Sequence, residues 1–297
     1  MIIAASVCCC PATGFRASPH IRILTSTDIM LSYPEIDPVA IALGPVQVHW
    51  YGLTYLAGLA FAWWLALRHA RRTYSPVNRE QVDDLIFYAA LGIVVGGRLG
   101  YAVFYGGEQL AQDPTWILRV WQGGMSFHGG LLGVIVAMYL FARGRQIPFL
   151  SLLDFIAPLA PIGLALGRLG NFIGQELWGR ATDVPWAMIF PRDPLQLARH
   201  PSQLYQFALE GLILFALVLW FASRPRPAGA VAGVFSLGYG CLRFGAEFFR
   251  EPDAHLGFQA LGWMTRGQIL CIPMIVLGAY LLVRAFKTAG TLSPQES

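Results

Sequence analysis

Seven stretches of this chain are apolar over lengths close to a bilayer crossing: roughly 46–67, 82–104, 126–142, 152–172, 202–222, 230–249 and 267–285. A spanning helix needs about 20 mostly apolar residues. In lipid every backbone N–H and C=O must be paired inside the protein, which leaves helices as the economical solution for runs of this length. The pattern predicts an all-α polytopic membrane protein with seven transmembrane helices. Composition agrees: 56% of the 297 residues are hydrophobic and 13% are charged. An average soluble domain carries about 25% charged residues. So little charge cannot cover a soluble globule, and disorder is excluded because it needs low hydrophobicity with high net charge. Pro158 and Pro161 fall inside the fourth stretch and predict a kink there.

The net charge of +4 rests on arginine, since Lys287 is the single lysine. No basic patch on a soluble surface exists, so no nucleic-acid partner is expected. Loop charges orient the spans, because cytoplasmic loops are enriched in Lys and Arg. One set of loops holds the tight clusters Arg68, Arg71, Arg72 and Arg79; Arg143 and Arg145; Arg224 and Arg226; Arg284 and Lys287. The opposite set holds Arg119, Arg180, Arg192, Arg199, Arg250 and Arg266, spread over longer loops. Placing the clusters in the cytoplasm puts the N-terminus outside and the C-terminus inside. Cys8, Cys9 and Cys10 are consecutive, and Cys241 and Cys271 lie in apolar segments. No disulfide framework or metal-ligand spacing results, and no metal site is expected.

The polar residues within the spans share one membrane face. Odd-numbered spans carry them at the start: His49 and Tyr51, then His128, then His200, Ser202, Gln203 and Tyr205. Even-numbered spans carry them at the end: Arg98; Arg168 and Asn171; Tyr239, Arg243 and Glu247. Odd spans begin where even spans finish, so these groups gather near one surface, the outer one by the loop charges. Ionisable groups at membrane depth are functional candidates by default. Asp154 is the exception, near the cytoplasmic start of the fourth span. A helix N-terminus favours a carboxylate there, and a loop arginine is the other partner open to it. Glycines recur at three- and four-residue spacing in 92–100, 129–133 and 163–170, which lets helix backbones approach closely.

Arginines in a low-dielectric setting suit a phosphate, because the guanidinium fork stays charged and binds phosphate oxygens in pairs. Glu176 and Glu247 are placed to hold such arginines, and Glu247 shares a helix face with Arg243 four residues earlier. His128 supplies an imidazole, the side chain type suited to proton transfer near neutral pH. The residues therefore suggest a membrane enzyme acting on a phosphate-bearing lipid. A lipid transporter is the rival, but transporters show internal repeats and midplane sites, and neither is visible here.

Two stretches, GGMSFHGGLLGV (123–134) and GRLGNFIGQELWGR (167–180), resemble the signatures of the prolipoprotein diacylglyceryl transferase family. Further matches follow in order: VHWYGL (48–53), GGRLGY (96–101), RHPSQLYQ (199–206) and GYGCLRFGAEFFREPD (238–253). The resemblance implies transfer of the diacylglyceryl group of phosphatidylglycerol to the lipobox cysteine thiol of a prolipoprotein. Glycerol phosphate leaves, and no cofactor takes part. It implies a multi-pass protein of the bacterial cell membrane, the inner membrane in a Gram-negative cell, with the site toward the outer face. Carried over by motif, His128, Arg168 and Arg243 are the catalytic candidates. Arg168 also contacts the donor phosphate, and Tyr51, Asn171, Glu176, Gly179, Tyr239 and Glu247 match substrate-binding positions. Arg98 matches a family arginine and is assigned structure before catalysis.

The chain departs from the family at Gly174, where Asn is usual within the GNFIGQE run, leaving Gln175 as the adjacent amide. Residues 173–201 are expected to form a small extracytoplasmic head that meets the protein substrate. The seven-helix catalytic domain then covers 30–290, with 291–297 as a cytoplasmic tail. Residues 1–29 match nothing in the family and lack the basic start of a signal peptide, so translation is expected to begin at Met30.

Overall fold

A computed structural model describes residues 31–44, 46–252 and 257–291 of the chain. The expectations for 1–29, for a start at Met30 and for the tail beyond 291 lie outside these residues. The protein is a helical bundle. Helix α1 is Trp50–His69, α2 Arg79–Phe104, α3 Gly107–Gln112, α4 Phe127–Gly144, α5 Phe149–Ile156 and α6 Ala160–Ile173. A continuous rod follows, made of α7 (Ser202–Gln206), a π-helical segment Phe207–Ile213 and α8 (Leu214–Phe221). Helix α9 is Ala230–Ala246 and α10 is Arg266–Thr291.

Five of these are long and apolar enough to cross a bilayer: α1, α2, α4, the α7–α8 rod and α10. Helices α5 and α6 make a sixth as one bent span, with 46° between them. The bend falls at the predicted kink, because Pro158 has no N–H to give the preceding turn and its ring clashes with the carbonyl of residue 154. Helix α9 is apolar but shorter, at 17 residues. The first span begins later than the apolar run suggested. Residues Val46–His49 form a strand, β3, that pairs antiparallel with β2, Val39–Leu43. Alternating VQVH beyond the turn at Gly44 suits a pleated edge, so α1 starts at Trp50.

Glycine sets how closely the helices pack. A Cβ on Gly133 would stand 2.1 Å from the Gly92 carbonyl oxygen, and one on Gly129 would stand 2.4 Å from the Gly96 oxygen. The backbones of α2 and α4 therefore touch, and the order of the pairs (Gly92 with Gly133, Gly100 with Gly129) makes the helices antiparallel. Helices α1 and α6 meet in the same manner, Gly58 against Gly163 and Thr54 against Gly170. Helices α9 and α10 meet with Gly233 near Leu282 and Gly240 near Ile275. Antiparallel neighbours bring the polar starts of one set of helices beside the polar ends of the next.

Arg98, expected to serve structure, and Asp154, with two partners open to it, both hold elements of the bundle together. Arg98 is buried at the end of α2. Its Nε donates to Ile117 O at 2.9 Å, Nη2 to Trp116 O at 2.7 Å and Arg119 O at 3.2 Å, and Nη1 to Gly123 O at 2.5 Å and Gly124 O at 3.3 Å. Its guanidinium also stacks on the Trp116 ring at 4.1 Å. One side chain thus gathers the segment that leads into α4 and His128. Asp154 accepts hydrogen bonds from the Gly229 and Ala232 amides at 2.6 and 2.8 Å. It caps the start of α9 rather than its own helix, where free N–H groups and the dipole favour a carboxylate.

At the opposite end, residues 173–201 fold over the helices. A small sheet joins Leu31–Ser32 (β1), Met188–Ile189 (β4) and Ala198–Arg199 (β5). Beneath it Tyr33, Phe172 and Phe190 pack together, and Tyr33 Oη donates to Phe172 O at 3.0 Å. Asp193 and Arg199 pair inside this unit, with both carboxylate oxygens engaged at 2.6 and 3.2 Å. The Leu195 and Leu197 amides donate to the same carboxylate.

The Arg199 hydrogen bond, aided by those amides, holds the Asp193 carboxyl below the usual carboxylate range. A carboxyl with a lowered folded pKa stabilises fully above its unfolded pKa of about 3.9 and loses that contribution as pH falls through the folded value. Protection of the 190–199 amides from hydrogen exchange is therefore expected to be level from neutral pH to about pH 5 and to fall only in stronger acid. The Asp193→Asn variant is expected to lose that protection at every pH, by up to about 3 kcal/mol, since the buried Arg199 then keeps only the longer ion pair to Glu251, at 3.4 Å. Equal protection in variant and wild type would refute this assignment.

Candidate active site

A buried ion-pair cluster joins three helical elements, α6, the π-helical segment and α9, near the polar end of the bundle. Its centre is Glu210, fully buried in the π-helical segment. Glu210 Oε1 accepts from Arg243 Nη1 at 3.2 Å, and Oε2 faces Arg168 Nη2 at 3.5 Å. Arg243 Nη2 meets Glu247 Oε2 at 2.6 Å, one helical turn further along. Glu247 Oε1 accepts from Thr265 Oγ1 at 3.0 Å and Arg250 Nη1 at 3.4 Å. Local structure explains the convergence. The wide turn of a π-helix, common at functional sites, presents Glu210 inward beside Gly211. A Cβ on Gly211 would stand 2.4 Å from the Ala165 Cβ, so this glycine brings the rod against α6, which carries Arg168.

Arg168 is the looser arginine of the two. Glu210 is its ion-pair partner among the described residues, at the longest distance in the cluster. Its side chain is 19% exposed against 11% for Arg243. Glu210 Oε2 accepts no hydrogen bond among the described residues. A guanidinium held this way is oriented but retains donors for an incoming anion. Tyr239 lies within electrostatic reach of Glu210, Arg243 and Arg168.

A second group forms the mouth. A cavity of about 310 Å3 is lined by Tyr51, Gly170, Gly174, Glu176, His49 and Arg192. Asn171 Nδ2 donates to Glu176 Oε2 at 3.4 Å, and the Tyr51 and Tyr55 hydroxyls are 3.1 Å apart. Arg168 and Glu176 both lie within electrostatic reach of Tyr51. Arg168 therefore stands between the buried cluster and the cavity.

The predicted site residues divide accordingly. Arg168, Arg243, Glu247 and Tyr239 meet around Glu210; Tyr51, Asn171 and Glu176 meet at the mouth. Glu247 holds Arg243 as expected, whereas Glu176 pairs with neither arginine and contacts Asn171 instead. Gly179 is buried where three strands of chain cross, and a Cβ there would lie 2.5 Å from both the His200 and Phe249 carbonyl oxygens. Its place in the structure is a close crossing that only glycine fits. His128 occupies the first turn of α4 behind the Ser126 cap. It is exposed, its ring meets Phe127 edge-on, and it makes no hydrogen bond to the cluster. Gln175 does not replace the amide missing at Gly174: its Oε1 accepts from the Arg192 amide at 3.0 Å, tying down the covering segment.

Sequence reasoning missed Glu210. The signal was present as a lone carboxylate in the apolar run FALEGLILF (207–215). It also missed Gln206, whose side-chain amide is buried one turn earlier with neither polar atom hydrogen-bonded. Among the described residues no group of three or more His, Cys, Asp or Glu is placed to hold a metal ion.

Comparison with known proteins places this arrangement. The family model described as prolipoprotein diacylglyceryl transferase matches residues 38–284. Proteins named phosphatidylglycerol–prolipoprotein diacylglyceryl transferase are close relatives. The one from Azotobacter vinelandii is 58% identical over 89% of this chain and 100% of its own length. That from Ectopseudomonas mendocina is 60% identical over 87% and 97%, and that from Teredinibacter turnerae 57% over 87% and 93%. Identity this high, over nearly the whole of each relative, means that the chain belongs to the prolipoprotein diacylglyceryl transferase family.

Proposed function

We propose that this protein moves the diacylglyceryl group of phosphatidylglycerol onto the lipobox cysteine thiol of a prolipoprotein. The names of its relatives supply donor and acceptor. The observation that carries the reading is the buried Glu210, which tethers two arginines, one of them, Arg168, within electrostatic reach of the Tyr51 that lines the cavity. The cysteine sulfur forms a bond to the glycerol carbon that bears the phosphate ester. The C–O bond to phosphate breaks, glycerol phosphate departs with the electron pair, and the thiol proton passes to a base. A thiol ordinarily titrates near pH 8.5, and its thiolate is the nucleophile.

Arg168 binds the phosphate and Arg243 supports it, so positive charge stands where the leaving group gains negative charge. Fixed charge of this kind is commonly the largest catalytic term. His128 serves as the base, brought to the thiol when the protein substrate fills the exposed space before α4. Tyr51, Asn171 and Glu176 shape the mouth, Tyr239 and Glu247 keep Arg243 in place, and Gly179 permits the crossing beneath the cover.

Counting the short α9 as a span gives seven crossings. Arginine clustering in alternate loops supports an outer N-terminus, a cytoplasmic C-terminus and a site facing outward across the bacterial inner membrane. Residues 30–290 then form one catalytic unit, with 173–201 as its outer cover. The direct test is transfer of labelled glyceride from phosphatidylglycerol to a lipobox peptide by the purified protein. No transfer under conditions where a relative works would refute the function. Arg168→Ala is expected to lower transfer by about a thousandfold or more, near 4 kcal/mol, while membrane insertion is retained. Wild-type rates in that variant would remove the phosphate role.

A further inference from the structure

At the end of the bundle opposite Glu210, a second cavity of about 180 Å3 opens between the ends of α1 and α5 and the loop joining α8 to α9. Its lining includes Arg72, Arg224, Arg226, His69, Ser151 and Asp154. The catalytic reading uses none of them. Three guanidiniums converge here, and among the described residues none is ion-paired. Asp154, on the same wall, forms no ion pair with them among the described residues; its oxygens accept instead from the Gly229 and Ala232 amides at the start of α9.

Neighbouring basic residues on this face are engaged elsewhere: Arg145 pairs with Asp84, and Arg68 stacks on Trp64 at 4.3 Å. The cavity arginines are instead aimed by the backbone. Arg72 Nη1 donates to Ala222 O at 2.8 Å and Arg226 Nε to Phe221 O at 2.9 Å, and the Arg226 guanidinium also lies over the Phe221 ring at 4.2 Å; their other N–H groups make no hydrogen bond among the described residues. Behind them His69 is 5% exposed, and its Nε2 has no hydrogen-bond partner among the described residues. A buried polar atom is normally satisfied, so this ring, part of the cavity wall, carries an unmet hydrogen-bonding group. Basic pockets between transmembrane helices are a recurrent way to bind lipid headgroups.

We propose that this cavity binds a phosphate group, carried by an anionic membrane lipid or by a soluble phosphate, with Arg72, Arg224 and Arg226 as the clamp and His69 as the inner hydrogen-bonding group. The site is distinct from the one that holds the transferred lipid, and it does not rest on the transferase reading. Native mass spectrometry of the full chain in neutral detergent, titrated with phosphatidic acid, tests it. Arg168→Ala serves as the reference, since it weakens binding at the Glu210 end alone. In that background the remaining adduct is expected to weaken about tenfold when Arg224→Gln is added, for one lost charge-assisted contact, and further with Arg226→Gln. Arg224 makes no hydrogen bond among the described residues, so its replacement leaves the fold intact. Displacement of the adduct by millimolar inorganic phosphate assigns the site to soluble phosphate, and persistence assigns it to the lipid. Adducts whose affinity is unchanged by both arginine substitutions, with no effect of phosphate, overturn the proposal.

Discussion

Glu210→Gln is expected to lower diacylglyceryl transfer by at least about a hundredfold while the protein still inserts and folds. The substitution preserves shape and removes one buried charge. Arg243 keeps Glu247 as a partner, but Arg168 loses its only ion pair among the described residues. The two guanidiniums then repel one another with only a neutral amide between them. Breaking a buried pair by removing one partner costs about 3–5 kcal/mol. Part of that cost appears as lower stability and part as an Arg168 that has left its position. A displacement of about 1 Å in a positioning group is enough for a hundredfold loss. Initial rates with labelled phosphatidylglycerol and a lipobox peptide, beside a thermal midpoint in the same detergent, separate the two parts. Glu210→Asp is expected to fall between, since the charge survives on a shorter arm. A wild-type rate in Glu210→Gln would show that the carboxylate does not organise the site.

Gly133→Val is expected to prevent assembly of the bundle. The added Cβ would meet the Gly92 carbonyl oxygen at 2.1 Å and the Gly96 Cα at 2.8 Å. Both are backbone atoms, so no rotamer change relieves the clash, and α2 must separate from α4. Overpacking a tight contact costs about 1–3 kcal/mol where side chains can yield, and more is expected here. Separation also pulls α2 away from the Gly123 and Gly124 carbonyls that Arg98 holds, so the approach to His128 is lost with the packing. The control is Gly163→Ala, whose Cβ has nothing within 4 Å and which gains about 0.5–1 kcal/mol of helix propensity. Size-exclusion profiles and aggregation midpoints in detergent read both variants. A wild-type midpoint for Gly133→Val would mean that the two helices are not in backbone contact.

Much of the bundle was legible before any coordinates. Hydrophobic runs located the long helices, because lipid admits few alternatives to a helix. The proline pair located the bend between α5 and α6, because proline removes a donor wherever it falls. The glycine spacings marked the close-packed pairs. What escaped was local. Residues 46–49 alternate Val with Gln and His at the edge of an apolar run, too short a stretch to separate from the helix they precede, and pairing with Val39–Leu43 makes them a strand. Helix α9, expected over 230–249, stops at Ala246, because the chain turns there to bring Glu247 and Arg250 together.

The site divides along the same line. Arg168, Arg243 and Glu247 stood out because charge in an apolar run is costly, and that cost is a property of the residue. The sequence by itself therefore determined the bundle, the end at which its polar groups collect, and the arginines suited to a phosphate. Partnership depends on which helices touch, and spacing along one chain cannot state it. Only the tertiary structure decided that Glu210, and not Glu176, stands between the two arginines. It also decided that Asp154 caps α9, that Arg98 gathers the segment before His128, and that Arg72, Arg224 and Arg226 share a cavity. Each of these follows from contacts between residues far apart in sequence, made possible where glycine lets two backbones meet.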